Sequence, residues 1–416
     1  MKKLYKNKNN ISCYEKIIEL SILMYFITIF FYGILIKLTF NNSFMFKLKS
    51  VLAEFFLILI IIAILIKEIS KGIYKKELNI ITFISYIIII MIINLYSMPN
   101  IRSINLFIRD IFIPVLVSFF IYQANLSKTI IKKIIMNLLK ISIYFVVIGF
   151  ILAILQYNNG LEWSSKFYTG YSFYGFDEVS KIKINNTLSG VFRVPSITGS
   201  SATFGFYNVL VTIILLNFGK RNILKIIVLG MAFVNIILST NKTALILFII
   251  ILGLYLIKDI SKSLKIVIVC ILFSFIIIVI SILIRNNSDI FFSLEERIDL
   301  WICIFKENFN YKVLIPLNLY SFSAGGQGFT SVWDNTFLYV LFALGPIGLG
   351  LLITNIITNY VKAKQSEYKN TIICLIIVFT IGSFTTNLSN GRCFFNIYFI
   401  LIPLLLDNKL KRVTIS

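Results

Sequence analysis

The sequence predicts an all-α polytopic integral membrane protein, and its composition and hydropathy pattern predict this class. Hydrophobic residues make up 58% of the 416 residues and charged residues only 14%, and the mean hydropathy is +0.90. The apolar residues come in long unbroken blocks and not with the period of an amphipathic helix or strand. Blocks of roughly 20 apolar residues are long enough to cross the hydrocarbon core of a bilayer. We therefore expect a single transmembrane domain over residues 1–416.

About twelve such blocks can be placed along the chain. They lie at 15–37, 50–67, 79–97, 106–123, 138–156, 197–217, 222–239, 243–257, 264–284, 335–357, 371–388 and 392–406. Most connections between them are short, and two are long: residues 157–196 and residues 285–334. We expect about twelve transmembrane helices with these two large loops on the external side.

The distribution of charge indicates orientation and excludes a class of partner. The formal net charge is +22. When the N-terminus is placed in the cytoplasm, 25 Lys and Arg residues fall on the inner side, mostly in short loops, and 14 fall on the outer side. This asymmetry follows the positive-inside rule. The sequence therefore predicts both termini in the cytoplasm and gives no reason to expect a nucleic-acid partner.

The metal-ligating residue types argue against a metal centre. The chain has five scattered cysteines and no histidine, and it contains neither a Cys-x-x-Cys nor an Asp-x-Asp pattern. Zinc and haem sites normally need such ligands. We expect no metal and no cofactor.

Both long loops have features that need a functional explanation. Residues 157–196 are crowded with aromatic rings, which suit stacking on sugar faces or, alternatively, the aromatic belt at the membrane interface. In residues 285–334, Leu294, Ile298, Trp301 and Phe305 recur at helical spacing, which predicts a short helix along the outer interface. The spans are almost free of charge, with Glu54, Arg109 and Asp110 as the evident exceptions. Chemistry at the outer interface is therefore favoured over passage through the membrane.

Several stretches together resemble the superfamily of O-antigen polymerases and O-antigen ligases. They are FRVPSITGSSATFGFYNVL (192–210), LSTNKTALILFII (238–250), RIDLWICIF (297–305) and DNTFLYVLFALGPIGLG (334–350). The last resembles a ligase pattern in which a histidine precedes Asn, Ser or Gln and Gly-x-x-Gly follows nine residues later. Asp334 stands at the histidine position, which favours the polymerase branch.

The resemblance implies a metal-independent glycosyltransferase with a GT-C-like multi-span architecture in the bacterial cytoplasmic membrane. It would polymerise polyprenyl-pyrophosphate-linked oligosaccharide repeat units at the outer face, with membrane lipid around the site and a chain-length regulator as a further partner. A pyrophosphate leaving group needs cations where no metal is present, and arginine binds phosphate oxygens in pairs. Deprotonating the acceptor hydroxyl favours a nearby carboxylate base.

The candidate catalytic residues are Arg193, Arg297 and Asp334. The alternatives are a snorkelling anchor for Arg193, a surface ion pair or headgroup contact for Arg297, and a helix N-cap for Asp334. Gly345 and Gly348 are expected to allow close helix packing.

Further residues are candidates for binding the substrate. They are Lys242, Asn335, Arg285, Arg392 and Trp301.

Two alternative functions remain open. An O-antigen ligase would share the fold and use another acceptor, but the chain lacks the histidine. A polysaccharide-lipid flippase or other transporter would need polar residues lining a cavity at mid-membrane.

Overall fold

The computed structural model describes most of the helical part of the chain. The described residues are 13–39, 42–69, 78–97, 104–105, 107–124, 126–169, 187–188, 191–220, 222–256, 298–299, 301–303, 306, 335–385 and 394–406. Within these ranges the secondary structure is helical apart from one hairpin of two-residue strands. The predicted all-helical class is confirmed for these residues, and the helices are consistent with the predicted membrane protein.

The helices follow the apolar blocks, because a backbone in lipid must satisfy its hydrogen bonds within its own segment. They are α1 Cys13–Phe30, α2 Tyr32–Thr39, α3 Ser43–Ile69, α4 Leu78–Ser97, α5 Ile113–Ala124, α6 Lys128–Thr169, α7 Ser201–Phe218, α8 Ile223–Leu238, α9 Lys242–Leu256, α10 Thr336–Ala363, α11 Lys369–Thr385 and α12 Phe394–Leu405. Strand β1 (Thr187–Leu188) pairs with β2 (Val191–Phe192) in antiparallel register. A π-helical turn, Ile108–Phe112, precedes α5, and a 3-10 turn, Ser196–Thr198, precedes α7.

By length and apolar composition, four described helices can cross a membrane, or five if the bent pair of α1 and α2 counts as one span. The four contain Leu78–Leu95, Lys128–Tyr168, Ser201–Phe218 and Thr336–Ala363. Other predicted spans correspond to apolar helices or apolar stretches of 10–17 residues, among them Val51–Ile66 within the longer α3. At 1.5 Å per residue these apolar stretches reach about 15–26 Å, which is less than the hydrocarbon thickness of about 30 Å. The predicted span at 264–284 lies outside the described residues.

Three breaks shape the helices. The axes of α1 and α2 differ by 75° across Phe31. Helix α6 is interrupted at Gly160, where φ is 78° and ψ is −173°, and α10 is interrupted at Gly345, where φ is 72° and ψ is 178°. The 157–196 connection therefore begins as helix, which continues past Gly160 to Thr169.

The core of the described part centres on α7 and α12. Fourteen of the 18 residues of α7 are buried, and every residue of α12 is buried. Helix α7 packs against α6, α8, α9 and α11, and α12 packs against α5 and α11. The segment that leads into α7, residues 191–200, is thereby fixed to the interior of the bundle.

Candidate functional site

The backbone before α7 is fixed by hydrogen bonds to α6 and α8. The Val194 amide donates to the Leu238 carbonyl over 3.1 Å, at the end of α8. The Ser196 hydroxyl donates to the Gly149 carbonyl over 2.6 Å, and the Ser196 amide donates to Oε1 of Gln156 over 2.8 Å, both in α6. Three hydrogen bonds to two helices thus hold one short segment in place.

Arg193 stands at the start of this segment and is half-buried. Its Nε–H donates to Oγ1 of Thr240 over 3.1 Å, across the turn between α8 and α9. Both Ser196 (φ 47°) and Thr240 (φ 49°) have left-handed backbone conformations. Such conformations are costly for residues other than glycine, and they are found where the surrounding structure holds the chain for a function. Because Thr240 is β-branched, this left-handed conformation is especially unfavourable for it.

The turn that carries Thr240 is itself well ordered by hydrogen bonds. Oδ1 of Asn241 accepts from the Ala244 amide over 3.1 Å, which caps α9, and its Nδ2 donates to the Ala202 carbonyl over 3.1 Å. Lys242 is the first residue of α9 and is exposed. Arg193 is therefore linked by a hydrogen bond to the turn that directly precedes Lys242. We call Arg193, Thr240 and Lys242 the Arg193 cluster.

Asn335 has a structural role that can be read directly. It is the N-cap of α10: its backbone is extended, and its Oδ1 accepts from the Leu338 amide over 3.0 Å. The side chain is buried, with the residue 4% exposed. The cap that was the alternative explanation for Asp334 is thus formed by Asn335. Asp334 precedes the cap and lies outside the described residues.

Gly345 breaks α10 and does more than allow close packing. Its positive φ, followed by Pro346, breaks the helix, and the Leu344 carbonyl directly before the break accepts from the Tyr86 hydroxyl in α4 over 2.6 Å. A Cβ atom at Gly348 would collide with the side chain of Leu344. The Gly-x-x-Gly pattern therefore produces a broken helix joined to α4.

The other predicted residues are placed less completely. Trp301 is half-buried and helical, and its indole Nε1 has no hydrogen-bond partner in the structure as described. Arg297, Arg285 and Arg392 lie outside the described residues. The structure therefore connects Arg193 to the turn that precedes Lys242 and places Asn335 in a cap.

A second charged pair lies at the start of the predicted fourth span. In the π-helical turn, Nε of Arg109 is 2.7 Å from Oδ1 of Asp110, and Nη2 is 3.3 Å from Oδ2. The Asp110 side chain is 4% exposed and that of Arg109 is 30% exposed. Adjacent residues diverge on an α-helix, and the wider π-helical turn accompanies this pairing. The sequence had shown the two charges but not the turn.

Metal ligands are not grouped in the part of the chain that the structure describes. No cluster of three or more His, Cys, Asp or Glu side chains occurs there that could hold an ion.

Sequence reasoning missed the residues that position Arg193. Thr240, Gln156 and Ser196 are ordinary polar residues, and only their contacts in the fold reveal their roles. The signal that could have found Thr240 is the STNKT turn, since a polar turn between two apolar blocks must supply its own hydrogen bonds.

The comparisons with known proteins leave the family of the chain open. No protein-family model matches the chain, and no curated protein matches it significantly.

Proposed function

We propose that the chain polymerises polyprenyl-pyrophosphate-linked oligosaccharide repeat units into a surface polysaccharide, an O-antigen or a capsule. It would act without a metal at the outer face of the bacterial cytoplasmic membrane. About twelve spans and two cytoplasmic termini belong to this proposal, as does a partner that regulates chain length.

The observation that carries the proposal is the Arg193 cluster. Thr240 orients the guanidinium of the half-buried Arg193, and the exposed Lys242 follows Thr240 by two residues. The guanidinium has five N–H donors in a fixed fork, and Thr240 takes one of them. A cation fixed in direction, with a second cation just after the turn that it contacts, suits a pyrophosphate group that gains negative charge as it leaves.

The reaction can be written for this arrangement. A hydroxyl oxygen of the incoming repeat unit attacks the anomeric carbon of the growing glycan, and a glycosidic C–O bond forms. The bond from that carbon to the pyrophosphate oxygen breaks, and polyprenyl pyrophosphate leaves with the electron pair. Arg193 and Lys242 stabilise the leaving group, with Arg297, Arg285 and Arg392 as further candidate cations. Asp334 accepts the hydroxyl proton.

Membrane depth supports a site at the end of the bundle. The polyprenyl tail is too apolar to leave the bilayer, so the reacting atoms must lie near the headgroups. Residue 242 begins the apolar helix α9, and residue 193 lies in the segment that leads into the apolar helix α7. The charge distribution predicts this end of the bundle to be external.

The test compares variants in cells that lack the chain. Arg193→Ala is expected to abolish polymer while the protein still inserts, and Lys242→Ala is expected to shorten the polymer. Lys132→Ala is the control, because Lys132 is an exposed lysine on α6 at the predicted cytoplasmic end. Gel analysis of the lipid-linked glycan measures the chain lengths. Wild-type polymer from the Arg193→Ala variant would refute the assignment.

One observation favours a transporter as a second candidate. Nδ2 of Asn235 in α8 donates to Oδ1 of Asn208 in α7 over 3.1 Å, and Oδ1 of Asn235 is buried with no partner in the structure as described. Polar groups within spans are typical of transport pathways. A flippase would move the unpolymerised lipid-linked unit between leaflets, and Asn235→Leu would stop it. An O-antigen ligase would instead transfer finished glycan to a separate acceptor lipid, which the same gel distinguishes by size.

A further inference from the structure

The last part of α6 is separate from the rest of the helix. Helix α6 is uninterrupted from Lys128 to Asn159, which corresponds to about 48 Å at 1.5 Å per residue. This is longer than the hydrocarbon core of about 30 Å. Gly160 then breaks the helix, and we call residues 161–169 the α6 tail. The predicted span ends at residue 156, so the α6 tail lies beyond it, at headgroup level.

The α6 tail has three distinct faces. Ser164, Ser165 and Tyr168 are buried towards the bundle. Glu162 and Lys166 are exposed and form an ion pair one turn apart, with 3.1 Å between Oε1 and Nζ. Between these faces lie Trp163 and Phe167, also one turn apart and both half-buried.

Trp163 and Phe167 form a stack with a lysine from another helix. Their ring centroids are 5.6 Å apart with an angle of 22° between the planes. Nζ of Lys37, an exposed residue of α2, lies 3.9 Å from the centroid of Phe167. We call these three residues the Lys37 stack.

Contacts of Tyr168 and the close packing of α2 hold the Lys37 stack in place. The ring of Tyr168 meets that of Phe167 edge to face at 5.2 Å, and its hydroxyl donates to the Ser196 carbonyl. Nε2 of Gln156 donates to the same hydroxyl over 2.8 Å. Helix α2 is held equally closely, because a Cβ at Gly33 would lie 2.6 Å from the Gly199 nitrogen.

This support links the Lys37 stack to the Arg193 cluster. Ser196, which accepts from Tyr168, follows Arg193 by three residues in one hydrogen-bonded segment. The rings and the arginine are therefore fixed to the same short piece of backbone.

We infer that the Lys37 stack is a saccharide subsite that takes a sugar ring of the lipid-linked repeat unit. The inference rests on the proposed function for the identity of the saccharide. One face of a pyranose ring presents C–H groups, and the negative face of an indole attracts them. Lys37 adds a cation, which suits a phosphate or an acidic sugar beside the stacked ring.

An alternative role for the same rings is that of an aromatic belt at the membrane interface. The structure supplies a control residue for this alternative. Tyr157 lies on α6 just before Gly160 and is 61% exposed. It is an exposed aromatic at the predicted interface with no place in the Lys37 stack. Residues that serve only as a belt should respond to alanine substitution as Tyr157 does.

The experiment measures binding of the repeat-unit oligosaccharide, freed from its lipid by mild acid, to the purified full chain in nanodiscs. Cells that lack the chain supply the oligosaccharide. We expect Trp163→Ala to weaken binding about tenfold, which corresponds to about 1.4 kcal/mol. Trp163→Phe keeps a ring and should lose less, and Tyr157→Ala should bind as wild type. Size exclusion of each variant reports folding.

The outcomes separate the subsite from the proposed function. Wild-type affinity in Trp163→Ala, or equal losses in Trp163→Ala and Tyr157→Ala, would overturn the subsite. A wild-type chain that makes polymer but does not bind the freed oligosaccharide would also overturn it and leave the polymerase standing. Binding that depends on Trp163 in a chain that makes no polymer would support the subsite and refute the polymerase.

Discussion

The contact between Arg193 and Thr240 gives the sharpest prediction. Thr240→Val removes the hydroxyl that accepts from Nε of Arg193 over 3.1 Å. Valine is also β-branched and nearly isosteric, so the left-handed strain at φ 49° is retained. Thr240→Ser is the control, because it keeps the acceptor and loses only a methyl group.

The magnitude follows from the kind of bond that is lost. A hydrogen bond to a charged group contributes about 1.5–3 kcal/mol. Because Arg193 is half-exposed, water replaces part of this contribution, and the lower end, about 1.5 kcal/mol, is appropriate. That energy corresponds to about a tenfold fall in kcat/KM if the bond fixes the guanidinium for the leaving group. Arg193→Ala should cost more, about a hundredfold or above, since it removes the charge itself.

The assay is the initial rate of polymer formation over a range of lipid-linked substrate concentrations. If Thr240 acts only through Arg193, the double variant should be no worse than Arg193→Ala, because the two losses are not additive. Unchanged kcat/KM in Thr240→Val would refute a positioning role. So would additive losses in the double variant.

Three further predictions concern the supports of the fold. Asn335→Ala should destabilise the protein by about 1 kcal/mol, since it removes the cap of α10, and Asn335→Asp should restore the stability; thermal unfolding in detergent measures both. Gly345→Ala should cost about 1–3 kcal/mol, because φ 72° with ψ 178° is a backbone region almost confined to glycine, and an unchanged unfolding temperature would contradict the broken helix. Gly33→Ala should loosen α2 from residues 197–199 and speed proteolysis there relative to Gly230→Ala, because a Cβ at Gly230 meets nothing within 4 Å.

The class of the fold was predictable because a membrane helix requires a long run of apolar residues, and such a run is visible in the sequence. Long apolar blocks can satisfy their backbone only as helices, whatever their partners. The number of spans is harder to predict, since an apolar block does not fix where its helix ends. The block at 15–37 shows this: the structure divides it between α1 and α2, which meet at 75°.

The start of α10 was predictable in kind but not in detail. An acid and an amide before an apolar run indicate a cap, and the sequence leaves open which of the two forms it. The structure gives the cap to Asn335, whose side chain reaches the amide of Leu338 three residues on. Likewise, two glycines separated by two residues suit close packing, while Pro346 directly after Gly345 was the signal for a break.

The contacts of the site could not be predicted from sequence. Thr240 is 47 residues from Arg193, and Phe167 is 130 residues from Lys37. Such pairs depend on how helices pack, and no local pattern encodes them. The sequence could place the cations at one end of the bundle; only the fold shows which side chain orients Arg193.

The most direct test of the central claim is polymerisation by the purified chain in lipid vesicles. The vesicles contain polyprenyl-pyrophosphate-linked repeat unit and excess chelator, and the products are resolved by chain length. We expect a ladder of lengths from wild type and from Lys132→Ala, and none from Arg193→Ala. Failure of the wild type to make a ladder, with repeat unit appearing instead on the opposite leaflet, would contradict a polymerase and indicate a flippase.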